Sequence, residues 1–184
     1  FGLPVLTFAD GWAAAIAYTL QLFFDFAGYS LMAIGLALMC GFRFPENFDH
    51  PYLASSIQAF WQRWHMTLSR FLRDYLYISL GGNRHGTVRT YVNLLLTMVI
   101  GGFWHGANWT FIIWGAWHGG LLALHRAWSA GRAKMPWLAG NILTMLAVII
   151  GWVVFRAHTV QEALRVYAGM LGLNGWGLSD ALAW

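Results

Sequence analysis

Two histidines in the longest uncharged stretch of this sequence have the residue type and position that could support chemistry. Residues 90–124 contain no Asp, Glu, Lys or Arg, yet His105 and His118 both occur there. Each follows a tryptophan and precedes a glycine, in the similar segments GGFWHG (101–106) and WGAWHG (114–119). Ionisable side chains are costly in apolar surroundings, so an intramembrane histidine is a functional-site hypothesis. A neutral core histidine bonded to a helix carbonyl is the alternative for either one.

Three classes of function could use such histidines. A neutral histidine can act as a general base near neutral pH, and desolvation favours the neutral form. A metal or haem site could draw ligands from His65, His105, His118 and His125, but no pair of them has the i, i+4 spacing of a helical zinc site. A transporter or channel could also place polar residues at broken helices in the middle of a membrane.

The composition predicts an all-α, polytopic membrane helix bundle. Hydrophobic residues make up 59% of the chain and charged residues only 10%, against about 25% charged in soluble domains. A single cysteine, Cys40, excludes an internal disulfide or a cysteine-based zinc site. The excess of basic residues favours a membrane surface over nucleic acid, because no nucleic-acid motif accompanies it. The chain opens on Phe1 within apolar sequence, and we expect an internal or C-terminal fragment of a larger protein.

Four apolar segments are predicted to span the membrane within a core of residues 1–155. They cover about residues 12–40, 90–104, 106–124 and 137–155. As one helix, the 35 residues of 90–124 would reach about 52 Å, whereas two full crossings need about 40 residues plus a turn. Two helices that meet at a glycine-rich turn inside the membrane resolve this length, and such a turn must be covered by protein or a polar cavity. A single long tilted helix is the alternative.

The remaining segments are predicted to lie at the membrane surface. Apolar residues recur every three or four positions over residues 55–79, which predicts an amphipathic, interfacial helix. The tail, residues 156–184, contains a possible interfacial helix around residues 162–170. Arginines of 43–89 and the basic loop 125–136 share one face if 90–124 crosses twice, and the positive-inside rule makes that face cytoplasmic.

Several motifs resemble those of the membrane-bound O-acyltransferases, and within them the bacterial alginate O-acetyltransferase branch. The teichoic-acid D-alanylation transferase is a more distant relative. The resemblance runs from about residue 20 to residue 128. The motifs that support it are FDFAGY (24–29), FPENF (44–48), FWQRWHMTLS (60–69), FLRDYLY (71–77), GGNR (81–84) and GFWHGANW (102–109).

The resemblance implies a role for several of these residues. His105 matches the family's proposed catalytic histidine, and His65 matches a position that is Asn in eukaryotic relatives, which implies hydrogen bonding there. His118 resembles a further histidine of the bacterial branch. The other residues expected to line the substrate tunnel or support the site are Asn108, Trp104, Asp25, Arg73 and Asp74. An oxyanion could be stabilised by His65, Asn108 or backbone N–H groups, and no motif singles out Ser69, Thr67 or Thr110 as a covalent nucleophile.

The expected function is acyl transfer, with acetyl as the group that this branch implies. The donor would be acetyl-CoA or another cytoplasmic acyl thioester, used as a substrate, with no bound cofactor and no metal. The acceptor would be hydroxyls of an extracellular polysaccharide, or a periplasmic acetyltransferase partner that passes the group on. We expect a multi-pass protein of the bacterial inner membrane, surrounded by lipid bilayer and without a nucleic-acid partner.

Overall fold

The computed structural model describes residues 5–131 and 135–179, and the regular secondary structure of these residues is entirely helical. Part of the predicted basic loop 125–136, including Arg132 and Lys134, lies outside the described residues. Seven α-helices occur within the described residues: α1 (Phe8–Met39), α2 (Ile57–Arg63), α3 (Met66–Phe71), α4 (Thr87–His105), α5 (Trp109–Ala130), α6 (Trp137–Arg156) and α7 (Val160–Met170). A 3₁₀ turn at Pro51–Leu53 precedes α2, and a π-helical segment at Leu72–Tyr77 continues α3.

Helices α1 and α6 are the described helices long and apolar enough to cross a membrane by length and composition. Helix α1 begins earlier than the sequence predicted, because Thr7 and Asp10 form a capping box that satisfies the first free N–H groups. Most of the apolar surface of α1 is exposed. Helices α4 and α5 are not among the two, so their crossing of the bilayer stays a prediction.

Helices α4 and α5 form a tight antiparallel hairpin, joined by the three residues 106–108. Glycines of α5 allow the close approach: a Cβ on Gly115 would collide with the carbonyl of Met98, and one on Gly119 would lie 2.9 Å from the Cα of Leu95. The structure therefore has two helices and a turn over residues 90–124, rather than one long tilted helix.

The predicted amphipathic helix over residues 55–79 is wrong as a single element. The helix ends at Trp64, which is extended, and His65 adopts the left-handed conformation with φ 42° before α3 begins. The segment 47–49 runs beside the break and satisfies its backbone, since Met66 N–H donates to Asn47 O at 2.9 Å and Asp49 N–H donates to Arg63 O at 3.0 Å. Periodicity continues through the break because α2 and α3 each keep an apolar face.

The core lies where α2, α5 and α6 meet, and aromatic rings dominate it. Phe60, Trp64, Trp114 and Trp152 are all buried, with Trp152 5.0 Å from Trp64 and 5.9 Å from Trp114 between ring centroids. These rings pack the α2–α3 break against the first turns of α5 and the last turns of α6.

Helix α7 occupies the part of the tail where a possible interfacial helix was predicted. It packs against α1, where Trp12 Nε1 donates a hydrogen bond to Met170 O at 3.1 Å. Thr159 caps its N-terminus by accepting from Glu162 N–H. That α7 lies in the membrane interface stays a prediction.

Candidate active site

His65 and His105 line the same small cavity at the α2–α3 break. The cavity volume is about 40 Å³, which is room for water but not for a substrate. Leucine, phenylalanine and tryptophan side chains complete its wall: Leu22, Phe26, Trp61, Trp64, Leu68, Trp114, Trp152 and Phe155. The two histidines are therefore the ionisable side chains of an otherwise apolar cavity.

His105 is the last residue of α4 and is half-buried among aromatic rings. Its ring centroid lies 5.3 Å from that of Trp114 and 5.2 Å from that of Phe155, both edge-on. Among the described residues, no hydrogen bond engages the His105 ring. Its nitrogens are thus available to a substrate, to water or to the other histidine in the cavity.

A polar cluster contacts the Nδ1 edge of the His65 ring. Its Nδ1 lies 3.0 Å from Asn47 Oδ1, and that oxygen also accepts from the backbone N–H of Thr67 at 3.2 Å and its hydroxyl at 2.9 Å. The ring of Phe26 from α1 packs edge-on against His65 at 4.8 Å. A left-handed histidine costs energy, and such strain persists where the surrounding contacts determine it.

An open groove of about 630 Å³ reaches His65 from the surface. Trp104 and Ile100 of α4 form one wall, while Thr67, Phe71 and Tyr75 form the other. Trp104 is 67% exposed, and its ring lies 5.1 Å from that of His105. Trp104 therefore lines the open groove and contacts His105, while its role at the site stays a prediction.

A second cavity, of about 260 Å³, has two arginines, Arg73 and Arg126, in its wall. Trp61 contributes to the walls of both this cavity and the histidine cavity. Arg73 forms an exposed ion pair with Asp74, with Nε 2.7 Å from Oδ1. The hydrogen bond from Arg73 lowers the pKa of the Asp74 carboxyl below its ordinary value. Arg73 thus faces a cavity, and Asp74 orients it.

His118 does not join the histidine pair. Its side chain is completely buried in α5, among the rings of Trp61, Trp114 and Trp152. Both ring nitrogens lack a hydrogen-bond partner within residues 5–131 and 135–179, and a Cβ on Gly151 would lie 2.6 Å from Nε2. His118 is packed as a core side chain.

Two other expected site residues have different surroundings. Asn108 caps α5 by accepting from Thr110 N–H at 3.2 Å, and its Nδ2 donates to His158 O at 2.9 Å, so both ends of its amide are engaged. Asp25 is exposed on α1 and does not line the histidine cavity. Among the described residues it has no hydrogen-bond partner.

The histidines that were possible metal ligands are spread over different surroundings. His65 and His105 share a cavity, His118 is enclosed by tryptophans, and His125 lines a separate groove beside Trp128. Within residues 5–131 and 135–179, no group of three or more His, Cys, Asp or Glu side chains could hold a metal ion.

Asn47 is the site residue that the sequence did not single out. It lies within the FPENF motif (44–48), 18 positions from His65. The motif itself was part of the resemblance. Its contact with His65 depends on the chain reversing between residues 47 and 65, which no local pattern specifies.

With this geometry in place, comparison with known proteins defines the family. Residues 3–161 match the model of MBOAT, the membrane-bound O-acyltransferase family. The chain belongs to this family, as the motifs indicated.

Individual relatives include proteins of both kinds that the motifs resembled, alginate O-acetylases and teichoic acid D-alanyltransferases. A probable alginate O-acetylase AlgI from Azotobacter vinelandii is 56% identical over 98% of this chain and 36% of its own length. A peptidoglycan O-acetyltransferase from Helicobacter pylori is 50% identical over 94% of this chain and 34% of its own. A teichoic acid D-alanyltransferase from Bacillus subtilis is 33% identical over 83% of this chain and 39% of its own length. The chain spans about a third of the length of these relatives.

Proposed function

We propose that this chain carries the acyl-transfer centre of a membrane O-acyltransferase, with His105 as the base. The observation that carries the proposal is the His105 ring, which has no hydrogen-bond partner among the described residues and shares an apolar cavity with His65. Family membership supports the reaction class. In such dry surroundings a neutral histidine is favoured, and that form can accept a proton.

The reaction follows from that arrangement. A ring nitrogen of His105 takes the proton of the acceptor hydroxyl as its oxygen attacks the thioester carbonyl. The tetrahedral intermediate then collapses, the carbon–sulfur bond breaks, and the imidazolium returns the proton to the leaving thiolate. The products are an ester and a free thiol, with no net change in protons. Because Asn108 is already bonded through its amide, the oxyanion is expected to use other donors, such as backbone N–H groups near the 106–108 turn.

The cavity of Arg73 and Arg126 is a candidate site for the anionic part of the donor. Arg126 lies 12 residues beyond Trp114 on α5, which corresponds to about 18 Å along the helix. A donor with an extended arm between its charged part and its thioester, as in acetyl-CoA or an acyl carrier, fits this separation. Trp61 lies in the wall of both cavities. We therefore propose that the thioester arm reaches His105 past the Trp61 ring, or that this ring moves when the donor binds.

The acceptor side is proposed from the relatives. Their names refer to alginate, peptidoglycan and teichoic acid, all polymers that carry hydroxyl groups. We propose transfer, with acetyl as the group, to such a polysaccharide directly or through a periplasmic acetyltransferase, in a bacterial inner membrane. The donor would enter on the cytoplasmic side, which bears the arginine-rich segments.

The central test is His105→Ala in the full-length protein, assayed for acetylation of the polymer. We expect at least a hundredfold loss, the usual minimum for a general base, with normal membrane insertion. The matched control is His125→Ala, because His125 lies on α5 in a separate groove, and it should keep activity. Retention of more than about a tenth of activity in His105→Ala would reject the assigned base.

The membrane orientation has its own test. Two passes by α4 and α5 return the chain to its starting side, so Asn83→Cys and Gly131→Cys, both exposed positions, should react with an impermeant thiol reagent from the cytoplasmic side. The experiment requires Cys40, which is also exposed, to be replaced first. Labelling of the two positions from opposite sides would exclude the two-pass arrangement.

A further inference from the structure

Asn47 contacts His65 in a way that restricts what His65 can do. One oxygen, Oδ1, receives the Thr67 backbone N–H, the Thr67 hydroxyl and the Nδ1 edge of His65, at 3.2, 2.9 and 3.0 Å. The main chain of Asn47 also accepts from Met66 N–H at 2.9 Å. Asn47 therefore hydrogen-bonds both the backbone of the α2–α3 break and the ring of the histidine within it.

These contacts determine the tautomer of His65. A backbone N–H can only donate, so the atom of Asn47 that faces Thr67 must be the carbonyl oxygen and not the amide nitrogen. Two acceptors 3.0 Å apart would repel, so His65 must carry its proton on Nδ1. In the neutral ring, Nε2 is then an unprotonated acceptor. Neutral His65 therefore cannot supply an N–H to an oxyanion through Nε2.

The cavity contains few partners for such an acceptor. Its other wall side chains are leucine, phenylalanine and tryptophan, and tryptophan offers only an N–H donor. Since Nδ1 of His65 is bound to Asn47, its Nε2 is the side-chain acceptor that the described residues of the wall offer to His105. His105 needs an acceptor for its own N–H when the opposite nitrogen acts as a base. The two rings are not directly hydrogen-bonded, and the cavity volume has room for a bridging water between them.

We propose that Asn47 is a positioning residue that acts through His65 on His105. Asn47 Oδ1 fixes the Nδ1–H tautomer of His65, and Nε2 of His65 accepts the N–H of His105 through one bridging water. This bond orients the basic nitrogen of His105 toward the hydroxyl and stabilises the imidazolium that forms there. The inference rests on the proposed acyl-transfer function. It adds a role for a residue whose side chain does not line the histidine cavity.

The test is the pH profile of kcat/KM in the full-length Asn47→Asp variant. The carboxylate keeps the acceptor but favours the imidazolium form of His65, as an opposite charge does. Protonated His65 no longer accepts from His105, so the acid limb should move upward by about 1–3 pH units. The titratable groups that face His65 are His105 of α4 across the cavity and Tyr75 across the groove; the wall residues of α1, α5 and α6 are apolar.

Two further variants separate positioning from folding. Asn47→Asp combined with His65→Asn should show no upward shift relative to His65→Asn alone, because the titrating group is gone. Ser30→Ala removes only the hydroxyl that Asn47 Nδ2 contacts at 3.5 Å, and it should leave the profile of the wild-type protein unchanged. Size-exclusion profiles in detergent verify that each variant is folded.

Each outcome has a separate meaning. An unchanged acid limb in folded Asn47→Asp, or the same shift in the His65→Asn background, would overturn the role of Asn47. An inactive wild-type protein, assayed with donor and polymer, would instead refute the proposed function.

Discussion

Residues 104–106 and 117–119 have the same three amino acids, Trp-His-Gly, yet the structure uses them in opposite ways. His105 ends α4 and faces a cavity, without a hydrogen-bond partner among the described residues. His118 lies in the middle of α5 and is completely buried, and neither ring nitrogen has a hydrogen-bond partner in the described part of the chain. Identical local sequence therefore does not give equivalent chemistry. Position relative to the helix end decides which histidine faces a cavity.

The glycines of the two tripeptides explain this difference. Gly106 follows the end of α4, and a Cβ there would lie 2.7 Å from the ring of Phe111, so a small residue lets the turn fold back tightly. Gly119 instead faces α4, where it permits backbone contact near Leu95. Gly106 thus allows the turn that follows His105, whereas Gly119 allows one face of α5 to pack closely against α4. The comparison predicts that changes near His105 affect catalysis and changes near His118 affect folding.

After His105 itself, the largest effect is expected from His65, on the side of the comparison that holds the proposed base. His65→Ala removes the acceptor in the cavity and leaves buried groups unpaired, at a cost of about 1–3 kcal/mol, or roughly 5- to 150-fold in kcat/KM. His65→Asn should retain measurable activity, since an amide oxygen can accept the same bond and the resemblance implies Asn at this position in relatives. Acetylation assays of both variants test this. If folded His65→Asn were as inactive as His105→Ala, His65 would itself have to transfer the proton.

The helix end at His105 could be predicted from the sequence better than the break that holds His65. Lack of charge around His105 and the 106–108 turn indicated the helix ends, and the motifs indicated His65. The left-handed His65 was not predictable, because the apolar repeat of residues 55–79 reads as one continuous helix. Its conformation depends on bonds from Asn47, and a contact across 18 positions leaves no periodic signal.

The next effect concerns helix packing on the His118 side. Gly119→Ala should destabilise the protein by about 1–3 kcal/mol, because its new methyl group meets the α4 backbone. Gly120→Ala is a matched control, since nothing lies within 4 Å of a Cβ there and alanine favours a helix. Thermal unfolding of the full-length protein in detergent measures both. Equal melting temperatures for the two variants would contradict the proposed packing role of Gly119.

A smaller effect on stability is expected at Asn108, the N-cap of α5, which lies between the two histidines in the sequence. Asn108→Ala removes the N-cap of α5 and the bond to His158 O, and it should cost about 1 kcal/mol of stability. Asn108→Asp keeps the capping oxygen and should lose less. Activity below the melting transition should change little in either variant, because the amide is already bonded. A large loss of kcat with unchanged melting temperature would instead make Asn108 an oxyanion donor.

The smallest effect is expected at His118, where the comparison is sharpest. Its unpaired nitrogens contribute no hydrogen bond among the described residues, so His118→Leu removes two buried polar atoms without stranding a partner. Replacing an unsatisfied polar group with an apolar one of similar size is close to neutral or stabilising. We expect kcat/KM within about threefold of wild type and an unchanged or higher melting temperature, whereas His105→Leu should abolish transfer. A folded but inactive His118→Leu would show that the buried histidine takes part in proton transfer, and the contrast between the two tripeptides would fail.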